Sequence, residues 1–237
     1  MKLGVRSKLR NWIYTPNLNP VLVFGFPKSG TSAISALLAH RTNKSLTLDT
    51  KYLWEPYLSE IKEGKIEFDR HIRRFSYPFS KAIIKEPNMV FITDKILPVY
   101  SNAKILVIKR DKLDNIKSIL DRLKIPGNLK ENPEYSVVNR NWRSLLFSKD
   151  EHYVDVLNKH YKEAEIKLNM LKPQNPVFIT YENFKKDKEK EIDRIANELN
   201  LAVKQNINHL LNEQFQPKSK NIESTQEFFG ENLKKLI

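Results

Sequence analysis

The sequence predicts an α/β fold, a single three-layer domain in which a central parallel sheet of about five strands lies between helices. Three observations carry this expectation. Short apolar runs bounded by polar turns alternate with longer stretches of helical periodicity. The runs are β-branched and continuously apolar, as expected of strands covered on both faces. No linker-like run of Gly, Ser or Pro divides the 237 residues, and a hydrophobic content of 40% suffices for one sizeable core.

In chain order, the predicted strands are VLVFG (21 to 25), KYLW (51 to 54), KAIIK (81 to 85), KILVIK (104 to 109) and PVFIT (176 to 180). After the first strand, Ile34, Leu37 and Leu38 recur at i, i+3 and i+4, which marks the buried side of a helix. After the fourth, Leu113, Ile116, Leu120 and Leu123 form a second stripe, stopped by Pro126 and Gly127. Val154, Leu157, Tyr161, Ala164, Leu168 and Leu171 make a longer one that ends before Pro173. Ile192, Ile195, Ala196 and Leu199 repeat the spacing after the fifth strand. These stripes read as core. The connections 55–80, 125–150 and 203–237 are less regular, and ligands of open α/β sheets bind outside the carboxyl ends of the strands.

Composition removes several classes of function. Without cysteine there is no disulfide framework, thiolate metal site or cysteine nucleophile, and the five histidines lack ligand spacing, so no metal is expected. No run approaches the roughly 20 apolar residues of a membrane span, and the first residues lack an apolar signal core, which predicts a cytoplasmic protein. The net charge of +13 favours an anionic partner. The basic residues are spread through the chain and no nucleic-acid motif accompanies them, so nucleic acid is not expected. Peripheral contact with a lipid surface remains compatible with the charge.

In VLVFGFPKSGTSAIS, residues 21–35, Gly25 and Gly30 have the spacing of a phosphate-binding loop, with Thr31 following. An ATP loop of the form G-x-x-x-x-G-K-[ST] has its lysine directly after the second glycine. Here Lys28 sits inside the loop. The glycines permit close backbone approach, the helix beginning near Thr31 offers N–H groups to an anion, and Thr31 and Ser32 add hydroxyls. A plain helix-capping turn would also use Ser and Thr. The combination Pro27, Lys28, Ser29, Gly30, Thr31 is more specific than capping requires.

The loop GFPKSGTS resembles the 5′-phosphosulfate loop of sulfotransferases that use 3′-phosphoadenylyl sulfate (PAPS) and release 3′-phosphoadenosine 5′-phosphate (PAP). KILVIKRDKLDNIKSIL, residues 104–120, is similar to the strand, arginine and helix that bind the 3′-phosphate in that family, with Ser118 eight residues after Arg110. A guanidinium at a strand end and a hydroxyl from the next helix suit a phosphate. VFITYENFKKDKEKEIDRIANELNL, residues 177–201, resembles the family's later strand, turn and helix, with Tyr181 in the place of a nucleotide-contacting tyrosine. A half-buried tyrosine with its hydroxyl in water would look the same. In FQPKSKN, residues 215–221, Lys218 and Lys220 match a basic loop that covers the 3′-phosphate, although the usual Arg-Lys-Gly signature is missing and a solvated charge run reads equally well. The resemblance covers most of residues 20–201, the expected core of the domain, with 202–237 as a segment covering its site, and it implies a fold like that of P-loop kinases, with PAPS as donor and no metal.

Sulfuryl transfer needs a cation at the leaving oxygen and a base facing it. Lys28 suits the first role. For the second, KYLWEP, residues 51–56, resembles the (F/Y)L(F/M)EP motif of carbohydrate sulfotransferases, whose glutamate is the base, so Glu55 is preferred. It lies 27 residues after Lys28, and Asp49 sits nearer the spacing of the commoner carbohydrate members. IIKEPN, residues 83–88, resembles a Lys-x-Pro strand end of the family, in which Lys85 would hold the sulfonate or 5′-phosphate and Glu86 would be a second carboxylate. An ordinary turn is the alternative there. His71 is a remote candidate for a histidine base. The implied acceptor is a hydroxyl, with a bacterial surface saccharide favoured and Trp54, Tyr57, Trp142 and Phe147 as possible stacking partners. The competing readings are a nucleotide kinase or NTPase with an atypical loop, in which Asp111 would bind magnesium, and a non-catalytic basic module.

Overall fold

The computed structural model describes residues 5–213 and 224–237. Its strands are β1 (Val21–Phe24), β2 (Leu46–Leu48), β3 (Ile83–Lys85), β4 (Lys104–Lys109) and β5 (Val177–Thr180). They form one sheet in the order β2-β3-β1-β4-β5, and every neighbouring pair is parallel. The chain runs from central β1 to the β2 edge, returns to β3 and then crosses to β4. Loops leaving the carboxyl ends of β1, β3 and β4 therefore meet at the middle of the sheet, where such folds bind ligands.

Strand alternation divides the apolar residues between two cores. Leu22, Phe24, Ile84, Ile105 and Val107 face the helices Lys112–Leu123 and Tyr153–Asn169, which contribute Ile116, Leu120, Val154, Leu157 and Ala164. Val21, Val23, Ile83, Leu106 and Ile108 face Thr31–Arg41 and Lys188–Glu198, through Ile34, Leu37, Leu38, Ile192 and Ile195. Both faces being covered explains the continuously apolar strands. β5 is an edge strand and alternates instead, with Val177 and Ile179 buried and Phe178 and Thr180 exposed.

One predicted strand is corrected. KYLW is not in the sheet; Lys51–Leu53 form a 3-10 turn, and the strand that pairs with β3 is Leu46–Leu48. Asp49 ends that strand in a left-handed conformation with φ of 55°. Thr50 Oγ1 then caps the turn, and Tyr52 stacks on Phe75 at 4.1 Å between ring centroids. Tyr52 and Leu53 of KYLW fill a core beneath a loop rather than a ladder. The other strands lie where the sequence places them, within a residue or two at the ends.

The irregular connections are tied to this frame. Short helices at Tyr57–Lys62, Phe68–Arg74 and Ser76–Phe79 bring Phe68, Phe75 and Phe79 into the first core. Near the carboxyl end, Phe228 and Phe229 of the helix Thr225–Phe229 join the same core. Asn232 Nδ2 donates to the carbonyls of Gly127 at 2.9 Å and Leu129 at 2.8 Å, fastening the segment after β4. Among the described residues, no helix is long and apolar enough to cross a membrane.

Candidate active site

The loop from Gly25 to Gly30 leaves the carboxyl end of β1 and feeds the helix Thr31–Arg41. Its glycines are required by contact. A Cβ on Gly25 would lie 2.6 Å from Ser29 Oγ and 2.8 Å from the Ile108 carbonyl. Gly30 has φ of 94°, and a Cβ there would fall 2.3 Å from the ring of Tyr181. Lys28 is itself left-handed, with φ of 68°. The first turn of the following helix leaves N–H donors without intrahelical partners, and Thr31, Ser32 and Ala33 line the adjoining cleft.

That cleft has a volume of about 1120 Å³ and collects residues from every strand end. Pro27, Lys28, Gly30, Thr31 and Ser32 come from the loop, Asp49 and Glu55 from the segment after β2, Lys85 and Glu86 from the end of β3, Arg110 and Ser118 from β4 and its helix, and Tyr181 from the end of β5. Ser29 is the predicted loop residue that does not reach it. Its side chain is fully buried under the loop against Gly25, and its N–H donates to the Phe26 carbonyl at 3.1 Å. Lys218 and Lys220 lie outside the described residues; Leu211 and Glu213, just before them, line the cleft.

Arg110 bridges the elements around the loop. Its Nη1 donates to the Lys28 carbonyl at 2.9 Å, and its guanidinium carbon stands 4.8 Å from the centre of the Tyr181 ring. Its Nε is buried with no hydrogen-bond partner among the described residues. Such a donor is costly unless something accepts from it.

The cleft concentrates positive charge. Burial first, then the charges of Arg122, Arg110 and Lys85, depress the Lys28 ammonium from 10.5 to about 8. Lys85 is buried, with its Nζ donating to Asp49 Oδ1 at 2.6 Å and to Ser32 Oγ at 2.9 Å. A site that forces cations together is preorganised for an anion.

Among the acidic residues that border the cleft, Glu55 and Glu86 lie closest to Asp49 in the chain after β2 and β3. Glu55 Oε2 accepts from the Ser59 N–H at 3.3 Å, at the start of the helix Tyr57–Lys62. Glu86 is buried; its Oε2 accepts from the Thr50 N–H at 2.6 Å and from Trp54 Nε1 at 3.4 Å. Burial, and secondarily the charge of Asp49, pushes the Glu86 carboxyl up to about 7. Glu86 is thus a brace between β3 and the loop that carries Asp49 and Glu55.

The sequence placed Glu55 at the end of the second strand. In the structure Asp49 occupies the residue after β2, and Glu55 lies beyond the 3-10 turn, yet both face the cleft. Of the four aromatics proposed for stacking, Trp54 and Trp142 line the cleft, whereas Tyr57 packs on His71 and Phe75 and Phe147 on Tyr135. His71 is buried elsewhere, its Nε2 2.6 Å from the Tyr52 carbonyl. Asp111 caps the helix Lys112–Leu123 by accepting from the Asp114 N–H at 3.0 Å and is absent from the cleft wall. Among the described residues no group of His, Asp and Glu is arranged to hold a metal ion.

Sequence reading missed Arg122 and Lys117. Arg122 follows Ser118 by one helical turn and lines the same wall, a relation that i, i+4 spacing shows. Lys117 lies 3.8 Å from Asp121, with its Nζ 3.9 Å from the centre of the Phe228 ring. No local signal in the sequence brings Phe228 there.

Fold and cleft together define an α/β protein with a five-stranded parallel sheet and a cleft rich in lysine and arginine at its strand ends. The chain belongs to the sulfotransferase domain family, whose model matches residues 18–235. The Mycobacterium tuberculosis sulfotransferase STF1 shares its fold, with a TM-score of 0.53 at 10% identity over 95% of this chain and 80% of that one. Also similar are the Alicyclobacillus acidocaldarius sulfotransferase (TM-score 0.49, 15% identity, 92% of this chain and 94% of that one) and mouse sulfotransferase SULT7A1 complexed with PAP (TM-score 0.46, 17% identity, 85% of this chain). The chain spans 66% of the mouse protein's length, just under two thirds. No curated protein sequence matches it.

Proposed function

We propose that the chain transfers a sulfuryl group from PAPS to an acceptor hydroxyl, with a saccharide as the favoured acceptor. Membership of the family supports the reaction class. The observation that carries the reading is the placement of Lys28, Arg110 and Ser118 on one cleft with Glu55 and Asp49.

When bound, the donor supplies an activated sulfuryl group on its 5′-phosphate and a 3′-phosphate that AMP and ATP lack. The residues present fit such a group. The loop and the first turn of its helix hold the 5′ end, while Arg110, with its unpartnered Nε, and Ser118 hold the 3′-phosphate. Tyr181, packed on Gly30, closes the nucleotide side. Lys28 offers its charge where negative charge grows, and Lys85 braces the sulfonate side. A Glu55 carboxylate oxygen takes the proton of the attacking hydroxyl. Trp54 and Trp142 give the acceptor half of the cleft flat apolar surfaces that suit sugar rings.

Thermal unfolding tests the donor assignment. PAP is expected to raise the Tm well above the shift given by AMP or ATP, without magnesium. Equal shifts for all three nucleotides would remove the assignment. A panel of saccharides, phenols and lipids with radiolabelled PAPS tests the acceptor class, and label confined to phenols or lipids would move it away from sugars.

A further inference from the structure

The helix Val5–Ile13 is mounted with its apolar side outward. Its polar side is the docked one, because the Asn11 carbonyl accepts from Ser76 Oγ at 2.5 Å and Asn11 Oδ1 accepts from the Tyr77 N–H at 3.1 Å. Leu9, Trp12 and Ile13, at i, i+3 and i+4, face solvent at 54%, 84% and 60% exposure. A helix of a globular protein ordinarily turns this stripe to the core. Here one of the largest side chains of the chain stands almost wholly in water.

The flanks of the stripe are cationic. At 100° per residue, Lys8 falls at one edge of the Leu9, Trp12 and Ile13 face and Arg6 at the other, and both are exposed. The helix contains no acidic residue. Two more cations sit at its base, where Arg10 and Lys81 lie over the Tyr77 ring at 5.0 and 4.0 Å. Tyr14 and Leu18 extend the apolar surface along the chain that follows, at 43% and 42% exposure.

We propose that this helix is a docking surface for an anionic lipid bilayer. It lies in the plane of the interface with Leu9, Trp12 and Ile13 at the acyl boundary and Arg6, Lys8 and Arg10 among the phosphates. Charge complementarity selects this occupant, since an apolar stripe that includes tryptophan and is bordered on both edges by cations is the pattern of an interfacial helix. The net charge of +13 acts in the same direction. Nine residues bury little area, so the attachment is shallow and reversible.

Docking there leaves the cleft free. The chain after the helix joins the sheet at its amino end, where the Asn17 N–H donates to the Phe79 carbonyl and the Val21 N–H to that of Ala82. The cleft opens at the carboxyl ends. The inference is independent of the donor and acceptor assigned above, and its test leaves nucleotide binding as a separate control.

Vesicle co-sedimentation of the full chain provides that test. Binding to phosphatidylcholine vesicles with about one third phosphatidylglycerol is expected to exceed binding to phosphatidylcholine alone by about tenfold and to weaken in about 0.5 M salt. The triple variant Leu9→Ser, Trp12→Ser, Ile13→Ser is expected to lose about tenfold of the anionic binding while its response to PAP stays unchanged. Reversal of the flanking charges, Arg6→Glu with Lys8→Glu, is expected to lose at least as much. Failure of the wild type to bind anionic vesicles, or equal binding by the serine variant, would overturn the proposal. So would a wild-type dimer in solution that the serine variant dissolves, because a second copy would then cover the face.

Discussion

The ammonium of Lys85, buried at the end of β3, is clamped between Asp49 Oδ1 at 2.6 Å and Ser32 Oγ at 2.9 Å. The pair is asymmetric, since the Lys85 side chain is 1% exposed and that of Asp49 is 40% exposed. Lys85 is therefore the member that depends on the bond, since almost none of its side chain is in contact with water. Through this contact the end of β2, the end of β3 and the helix after the loop are held as one unit.

Asp49→Asn should then destabilise the fold, by roughly 1–3 kcal/mol, less than the full cost of breaking an enclosed pair because Asp49 is partly in water. Glu55→Gln, at a carboxylate that accepts from the Ser59 N–H, should change stability by well under half as much. Urea unfolding of the two variants compares them directly. Equal midpoints would show that Lys85 finds another partner.

The same asymmetry separates the two candidate bases. Asp49 is engaged by Lys85. Glu55 makes a longer hydrogen bond to a backbone N–H and keeps its carboxylate at the cleft wall. Turnover by Glu55→Gln should fall by about 10²–10⁴-fold with PAP affinity nearly intact. A folded Asp49→Asn variant that loses turnover while Glu55→Gln retains it would transfer the role to Asp49.

The loop with Gly25, Lys28 and Gly30 was legible from its spacing, whereas Arg110 and Ser118 stood out only through the resemblance of their strand and helix to the family; Lys28, Gly30, Arg110 and Ser118 line one cleft. Helical stripes were legible because buried faces recur at 3.6 residues, and each predicted stripe lies on a core helix or directly after one. KYLW misled because an apolar run records burial without recording whether a ladder or a loop is buried. The clamp between Lys85 and Asp49 was hidden for a different reason. It depends on the parallel pairing of β2 with β3, a register that no local pattern states. Arg122 was within reach of spacing alone, whereas the contact of Lys117 with Phe228 joins residues more than a hundred positions apart.

Lys28 makes ligand binding depend on pH. Burial and the neighbouring Arg122, Arg110 and Lys85 charges hold its ammonium at about 8, below its usual 10.5. An anion bound beside it raises that value again, so binding above about pH 8 must take up a proton. PAP affinity should be fully present below pH 8 and then weaken by up to about tenfold per pH unit. Calorimetry in buffers of different ionisation enthalpy should show the proton uptake at pH 9 and little at pH 7. Lys28→Ala should bind more weakly and lose the slope; a slope that survives the substitution would assign it to another group.

Glu86 carries a prediction about stability. In the folded chain its carboxyl keeps its proton up to about pH 7, against 4.5 for the ordinary group, chiefly because it is buried and secondarily because Asp49 is near. Between those values the folded state binds more protons than the unfolded one, so this residue's contribution falls as pH rises through the window and levels off above it. Roughly 3 kcal/mol is the limit set by a shift of that size. The histidines oppose it: burial holds His71, His152 and His160 below 6.5, so their contribution grows with pH. The difference between wild type and Glu86→Gln isolates the carboxyl, since both proteins carry the same histidines. Urea midpoints at pH 5, 6, 7 and 8 should show the variant gaining on the wild type as pH rises, by about 1 kcal/mol or more across the series. A constant difference would mean that Glu86 is ionised throughout, held by the Thr50 and Asn88 N–H groups and by Lys85 more strongly than burial opposes it.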